Sequence, residues 1–465
     1  MEAGILAPLM FAGLVAFLLL GYPVAFALAA NGLLFAGIGI MAGLFDVSLL
    51  HALPERIYGI VANPTLLAIP FFAFMGLILE RSGMAEELLD TIGQLFGSLR
   101  GGLAYAVILV GGLLAATTGV VAATVIAMGL ISLPAMLRYG YDKRLASGVI
   151  AASGTLAQII PPSLVLIVLA DQLGASVSAM YKGALVPGLA LVGLYLAYVF
   201  AVTVFRPHAA PALPASARTL SGSALLLRVF TTLLPPLVLI FLVLGTIFLG
   251  VATPTEGGAM GAAGALLLAL ARGRLSRLQL TQGMDSTTKL TTFVIFILIG
   301  STIFTLAFRG LDGDVWVEHL FSQLPGGVLG FLIAVNLLVF VLAFFLDFFE
   351  IAFIAVPLLA PIADKLGIDP IWFGVMLAVN MQTAFMHPPF GFALFYLKSV
   401  APKSIRTADI YWGAIPFLVI QLVMVAVVLA FPQVVLRDMP PDASSVSEIP
   451  VDVDPDAYYL PAEWR

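Results

Sequence analysis

The stretch Ala157-Gln158-Ile159-Ile160-Pro161-Pro162 returns 227 positions later as Ala384-Phe385-Met386-His387-Pro388-Pro389. The same shift carries Pro134 onto Pro361, Gly140 onto Gly367 and Asp142 onto Asp369, without a gap. Ala116 and Ala151 likewise meet Ala343 and Ala378, although alanine matches carry little weight in so apolar a chain. Proline, glycine and aspartate set backbone direction and helix ends, so coincidences of those residues at one offset mark a structural repeat.

Around this repeat the composition is that of a membrane protein. Of 465 residues, 61% are hydrophobic and 10% charged, with a mean hydropathy of +1.11. Soluble domains carry roughly 25% charged residues, so this chain has too few to cover a watery surface. A crossing needs about 20 apolar residues to match about 30 Å of hydrocarbon. The pattern predicts spans at about 4–20, 23–43, 60–80, 144–170, 184–205, 229–250, 254–271, 289–308, 371–397 and 409–431. The first of these lacks a basic segment before it and reads as a span rather than a cleaved signal. Cysteine is absent, which excludes disulfides and thiolate chemistry, and the net charge of −5 gives no basis for a nucleic-acid partner.

Two further apolar stretches, about 101–137 and 327–366, are too long for one crossing. Each is interrupted, the first at Thr117-Thr118-Gly119 and the second between Asp347 and Glu350. Both read as re-entrant hairpins, whose irregular backbone must be buried in protein or line a cavity. The expected fold is therefore an all-α polytopic membrane protein, with about five spans and one re-entrant hairpin in each half. The first repeat covers 1–205 and the second 229–431. An odd number of crossings inverts the second half, as in many secondary transporters.

Charge gives the same orientation. Arg138, Lys143 and Arg144 follow the first hairpin, whereas the matching turn has only Lys365 beside Asp364 and Asp369. Arg206, Arg218 and Arg228, then Arg272, Arg274 and Arg277, then Lys398, Lys403 and Arg406 fall on the side of the first turn, which the positive-inside rule makes cytoplasmic. The linker 206–228, rich in Ala, Pro and Ser, is expected to be flexible, and a second polar linker is expected over 272–289. The run 86–99 reads as an amphipathic segment along the cytoplasmic face, and 432–465 as an acidic extramembrane tail carrying Asp442, Glu448, Asp452, Asp454 and Asp456. Both chain ends fall outside.

The broken elements are where chemistry is expected. Carbonyls and hydroxyls at a break suit a small hard cation such as Na⁺, while exposed amides at a helix N-terminus suit an anion. Cation candidates are Thr117, Thr118, Gly119, Pro161, Asp347 and Pro388. Substrate candidates are Ser153, Thr155, Gln158, Pro162, Ser163, Asn380, Thr383, His387 and Pro389. Each has a plainer reading: back-bonding for the threonines, a kink for the prolines, hydrated turn acids for Asp347 and Glu350, a packed neutral ring for His387. Glu256 reads as a helix cap. No HExxH, GxSxG or P-loop is present, which argues against an enzyme and against ATP-driven pumping by this chain.

In Gly21-Tyr22-Pro23, Ile69-Pro70-Phe71-Phe72, Arg81-Ser82-Gly83, Ile159-Ile160-Pro161-Pro162-Ser163, Thr253-Pro254-Thr255-Glu256 and Gly367-Ile368-Asp369-Pro370 the chain resembles the large membrane subunit of the tripartite ATP-independent periplasmic (TRAP) transporters. The resemblance runs from about residue 21 to 431. It departs at Thr117-Thr118-Gly119, where the family often has Ser-Gly-Ser, and at His387, where it often has Thr. The resemblance implies an elevator-type transporter in a prokaryotic inner membrane, with the hairpins in a moving transport domain against a fixed scaffold. It implies Na⁺ as coupling ion without any organic cofactor, an organic acid (carboxylate) as substrate, and two partners: a small four-helix membrane subunit and a periplasmic substrate-binding protein. Both chain ends would then be periplasmic. Two other readings fit parts of the sequence. A stand-alone ion-coupled anion transporter would share the architecture. An intramembrane lipid-modifying enzyme would need titratable residues clustered at one depth, and the sequence shows none.

Overall fold

The computed structural model describes residues 3–344, 346–437 and 439, and among them the chain forms α-helices and short 3₁₀ turns, with no strand. The first half contains α1 (Ala3–Leu19), α2 (Val24–Met41), α3 (Leu53–Val61), α4 (Ala68–Arg81), α5 (Met84–Leu95), α6 (Gly102–Thr118), α7 (Val121–Arg138), α8 (Lys143–Thr155), α9 (Leu164–Gln172) and α10 (Val177–Phe205). The second contains α11 (Gly222–Phe248), α12 (Pro254–Ala271), α13 (Arg277–Gly310), α14 (Gly313–Ser322), α15 (Gly327–Leu342), α16 (Phe348–Ile354), α17 (Val356–Lys365), α18 (Pro370–Thr383), α19 (Phe392–Val400), α20 (Thr407–Ala430) and α21 (Gln433–Leu436). By length and apolar composition α2, α7, α10, α11, α13 and α20 can each cross a bilayer, and the bent pairs α4–α5 and α14–α15 raise the number to eight.

Residues at the repeat offset build the same local structure. Helices α7 and α17 end in the same way: Tyr141 N donates to Met136 O and Ile368 N to Ala363 O, both at 3.0 Å. Gly140 (φ 80°) and Gly367 (φ 68°) take the left-handed conformation that such a helix end requires. Asp142 then caps α8 through the amides of Arg144 and Leu145, and Asp369 caps α18 through those of Ile371 and Trp372. Both Pro-Pro bonds are cis.

Packing between the halves also occurs in exchanged pairs. Helix α2 packs on α13 and α4 on α12, while α8 packs on α20 and α10 on α18. Glycines let the helices meet closely: a Cβ on Gly148 would lie 2.0 Å from Gly413 O, and one on Gly413 2.1 Å from Arg144 O. Lipid gives helices no hydrophobic reason to associate, so close backbone packing of this kind holds them together.

Several expected boundaries change. The linker after α10 is ordered: Asp142 N donates to Ala209 O, Gly101 N to Ala210 O and Leu213 N to Gly97 O, and Ala210 is fully buried. Its backbone polar groups pair with the ends of α6 and α8, so the Ala/Pro/Ser composition forms a strap rather than a flexible tether. The second linker shrinks to 272–276, because Ser276 and Gln279 form a capping box that starts the 34-residue α13. The span expected at 60–80 starts only at Ala68, after a turn that follows α3. The return arm of the second hairpin is split into α16 and α17 at Ala355, with Pro357 in the first turn of α17. Beyond Met439 the acidic tail lies outside the described residues; its first part, expected to be extramembrane, includes α21, which packs on α10 with Val435 buried.

The amphipathic run forms α5, which buries Met84, Leu88, Leu89 and Ile92. Its opposite face binds basic residues of the second half, on α11 and in the connection after α12. Glu87 accepts from Arg272 at 3.0 Å and from Arg274, and Asp90 pairs with Arg228 at 2.8 Å. Glu256 is a helix cap, its carboxylate accepting from Thr253 N at 2.8 Å.

Candidate transport site

The first hairpin breaks because α6 ends on Gly119, which has φ +58°, and Val120 is extended before α7 begins. A Cβ at Gly119 would lie 3.3 Å from Leu164 Cγ and 3.6 Å from Pro162 O, so this tip rests on the break between α8 and α9. In the second half Asp347 and Glu350 form a capping box, each carboxylate accepting from the other's backbone N–H at 2.9 Å. These acids are half-buried and hold the start of α16, so they are not the freely hydrated turn acids of the plainer reading. This tip rests on the break between α18 and α19, with the Phe344 ring stacked on His387 at 4.5 Å.

Both tips meet at one cavity of about 250 Å³. Its walls include Gly119 to Ala122, Leu164, Asp347 to Phe349 and Phe392. These are the first residues of α7, α9, α16 and α19, so four helix N-termini converge on one space. Each carries a partial positive charge at its first turn, although Ser163 caps α9 and Asp347 caps α16. Leu290, Phe293, Phe385 and Tyr396 complete an apolar and aromatic lining. Among the described residues Asp347 is the only charged side chain in the wall, placed where it offsets the α16 terminus. A small, partly open space with four helix ends, apolar walls and one carboxylate suits a small organic anion together with a cation.

Of the residues expected from the sequence, Gly119 and Asp347 line this cavity. Thr117, two residues before Gly119, is buried and does not line the cavity; its hydroxyl donates to Leu114 O at 2.9 Å, leaving oxygen lone pairs available. The Thr118 side chain lies outside the described residues. Pro161 and Pro162 are buried, whereas Pro388 is half-buried and Pro389 exposed, its carbonyl accepting from Tyr411 Oη at 3.0 Å. Ser163 caps α9, and its hydroxyl donates to Gln158 O at 2.5 Å.

The remaining candidates lie on α8, α18 and the segments after them, behind the cavity wall. Ser153 donates to Ile150 O at 3.0 Å, and a Cβ on Gly111 would be 2.5 Å from its Cβ, so it packs against α6. Thr383 donates to Asn380 O at 2.6 Å, and Asn380 Nδ2 donates to Asn336 O at 2.8 Å. Thr155 Oγ1 accepts from Gln382 Nε2 at 3.1 Å and from Gln421 Nε2 at 3.2 Å, and Gln421 also donates to Tyr195 Oη at 2.9 Å. Both amide atoms of the buried Gln158 lack a partner among the described residues. So do both ring nitrogens of His387, which sits between Phe340 at 4.2 Å and Phe344. The aromatic wall and the Asn336, Gln421 and Tyr195 contacts are not visible in the repeat. Gln421 and Asn336 do carry a sequence signal, as lone polar residues inside apolar helices.

A family model described as "Tripartite ATP-independent periplasmic transporter, DctM component" matches residues 11–434. The C4-dicarboxylate TRAP transporter large permease protein DctM of Pseudomonas aeruginosa is 33% identical over 395 residues, covering 84% of this chain and 90% of that one. The sialic acid TRAP transporter large permease protein SiaM of Vibrio cholerae is 28% identical, covering 87% and 95%. Among solved structures, the Alcanivorax borkumensis YdaH transporter aligns with a TM-score of 0.59 at 15% identity, over 84% of this chain and 90% of that one, a likeness of fold.

Proposed function

Because the chain belongs to the DctM component of the tripartite ATP-independent periplasmic transporters, a family of permeases rather than enzymes, we propose that it is the transport subunit of a Na⁺-coupled organic-acid importer of the inner membrane. The observation that carries this reading is the convergence of four helix N-termini on the cavity between the two hairpin tips. A carboxylate substrate there gains from the partial positive ends of α7, α9 and α19, that of α16 being offset by Asp347, without any buried arginine. Na⁺ is assigned to the tips, with the Thr117 lone pairs, backbone oxygens around Gly119 and the Asp347 carboxylate as ligands. The relatives are named for C4-dicarboxylates and sialic acid, both acidic, and a cavity of about 250 Å³ favours the smaller kind.

In this reading the two halves are inverted repeats. The exchanged packing pairs supply the two-fold relation, and the basic loops on one side supply the inversion. The hairpins move as part of a transport domain, and both chain ends are periplasmic. By its length α7 alone can cross a bilayer; its assignment as a re-entrant arm follows from the tip at Gly119 meeting the internal break at Pro162. A small membrane subunit and a periplasmic binding protein complete the transporter.

Uptake into proteoliposomes containing this chain and both partners tests the proposal. An inward Na⁺ gradient should drive accumulation of a dicarboxylate or a smaller carboxylate without ATP. Equal uptake with K⁺ or choline replacing Na⁺ refutes Na⁺ coupling.

A further inference from the structure

A second pocket, of about 560 Å³, opens between α8, α10, α20 and the strap after α10, and shares no residue with the transport cavity. Arg144 and Arg206 line it, and neither guanidinium has an ion pair or hydrogen bond among the described residues. The nearby cations are already occupied: Lys143 donates to Ser404 O at 2.8 Å, Arg138 lies over the Tyr139 ring, and Arg406 pairs with Asp409. Among the described residues Asp142 is the one acid in the wall, and its Oδ1 is engaged in capping α8. The pocket therefore carries two arginines against one committed carboxylate.

Its rim is apolar and outward-facing. Phe205 is 83% exposed and Trp412 62% exposed, at the ends of helices apolar enough to cross a bilayer. Tyr198 lines the wall with its ring held edge-on against Phe417 at 5.0 Å, and neither its hydroxyl nor the Trp412 indole N–H makes a hydrogen bond to another described residue. The floor is rigid because α8 and α20 meet there through Gly413 and the Arg144 backbone.

From this arrangement we infer that the pocket binds the phosphodiester headgroup of an anionic phospholipid, with Arg144 and Arg206 on the phosphate and the acyl chains lying over Phe205 and Trp412. Arginine matches phosphate oxygens in a two-pronged fork. Aromatic residues settle at the headgroup level of a bilayer, and basic pockets between membrane helices on the cytoplasmic side bind acidic headgroups. A soluble phosphate ester would satisfy the arginines but leave the apolar rim uncovered, which favours the lipid. The inference is independent of the transported substrate and of Na⁺.

The test uses the full chain, purified and delipidated in neutral detergent, with brominated-chain phosphatidylglycerol as quencher of Trp412 fluorescence. A Trp412→Phe variant isolates the signal from the other three tryptophans. Phosphatidylglycerol should quench at a concentration about tenfold below that needed for brominated phosphatidylcholine. The double variant Arg144→Gln/Arg206→Gln should raise the half-quenching concentration about tenfold or more. An Arg144→Lys/Arg206→Lys pair, which keeps the charge, should retain the preference for phosphatidylglycerol and covers the case in which the glutamine pair does not fold. Equal quenching by both lipids, an unchanged glutamine pair, or loss of the preference in the lysine pair overturns the site. Displacement of phosphatidylglycerol by an equal concentration of glycerol 3-phosphate overturns the lipid in favour of a free phosphate ester.

Discussion

Thr155 and Gln382 stand 227 positions apart in the chain and hydrogen-bond to each other, Gln382 Nε2 donating to Thr155 Oγ1 at 3.1 Å. They are counterparts in the repeat. In the proposed inverted-repeat reading only residues beside the two-fold axis touch their own counterparts, so this bond would place the axis between α8 and α18. It is fully buried and shares Thr155 with Gln421.

Thr155→Val keeps the shape and leaves two buried amides without their shared acceptor. An unsatisfied buried polar group costs about 1–3 kcal/mol. Thermal unfolding in detergent should show a clear loss of stability. Pairing it with Gln382→Leu should cost less than the sum of the two single changes, because each removes the same bond. Strict additivity would mean that the bond contributes nothing.

Asp347 has two roles that substitution can separate. Asparagine caps a helix about as well as aspartate, so Asp347→Asn should leave stability nearly unchanged while impairing Na⁺-driven uptake. Asp347→Ala should lose both, with a capping cost of about 1 kcal/mol. Normal Na⁺ dependence in Asp347→Asn would reduce the residue to a cap.

Thr117→Val removes the lone pairs and keeps the buried volume. A ligand worth roughly 1.5–3 kcal/mol corresponds to about 10- to 150-fold in Na⁺ affinity. The Na⁺ concentration for half-maximal uptake should rise accordingly. An unchanged value moves the cation to backbone carbonyls, which side-chain substitution cannot delete.

Gly148→Ala tests the packing between the halves. Its Cβ would lie 2.0 Å from the Gly413 carbonyl, so α8 and α20 must separate. Overpacking of this kind costs about 1–3 kcal/mol or more. Yield of monodisperse protein and melting temperature should both fall, whereas Gly37→Ala, with open space around it, should be neutral.

The natural absence of cysteine makes topology directly measurable. Cysteines at Ser216 and Asp364 are both exposed and sit after α10 and at the end of α17. An impermeant thiol reagent applied outside intact cells should label Asp364→Cys and leave Ser216→Cys untouched. Labelling of both, or of Ser216→Cys alone, contradicts the inverted arrangement.

Much of this was legible in the sequence where the residue itself dictates the backbone. Gly119, Gly140 and Gly367 take left-handed conformations, and Asp142, Asp369 and Thr253 cap helices, because local sterics and local hydrogen bonds settle those choices. The Thr117 hydroxyl is ambiguous because a helix always offers it a carbonyl one turn back, and only the packing of the tip at Gly119 against Pro162 and Leu164 gives the lone pairs meaning. The linker after α10 was misread because its order comes from Gly97, Gly101 and Asp142, which lie far away in the chain. Composition cannot report a partner that distant.

By itself, then, the sequence determined an all-helical chain in lipid, its breaks, and its repeat, since apolar length, proline, glycine and capping residues act within a few positions of themselves. Only the tertiary structure decided which faces meet. The cavity is walled by Leu290, Phe293, Phe385 and Phe392, apolar residues like dozens of others here, chosen because α13, α18 and α19 bring them beside the two tips. The convergence of four helix ends on one space is likewise a property of packing, because a dipole acts through distance and direction in space.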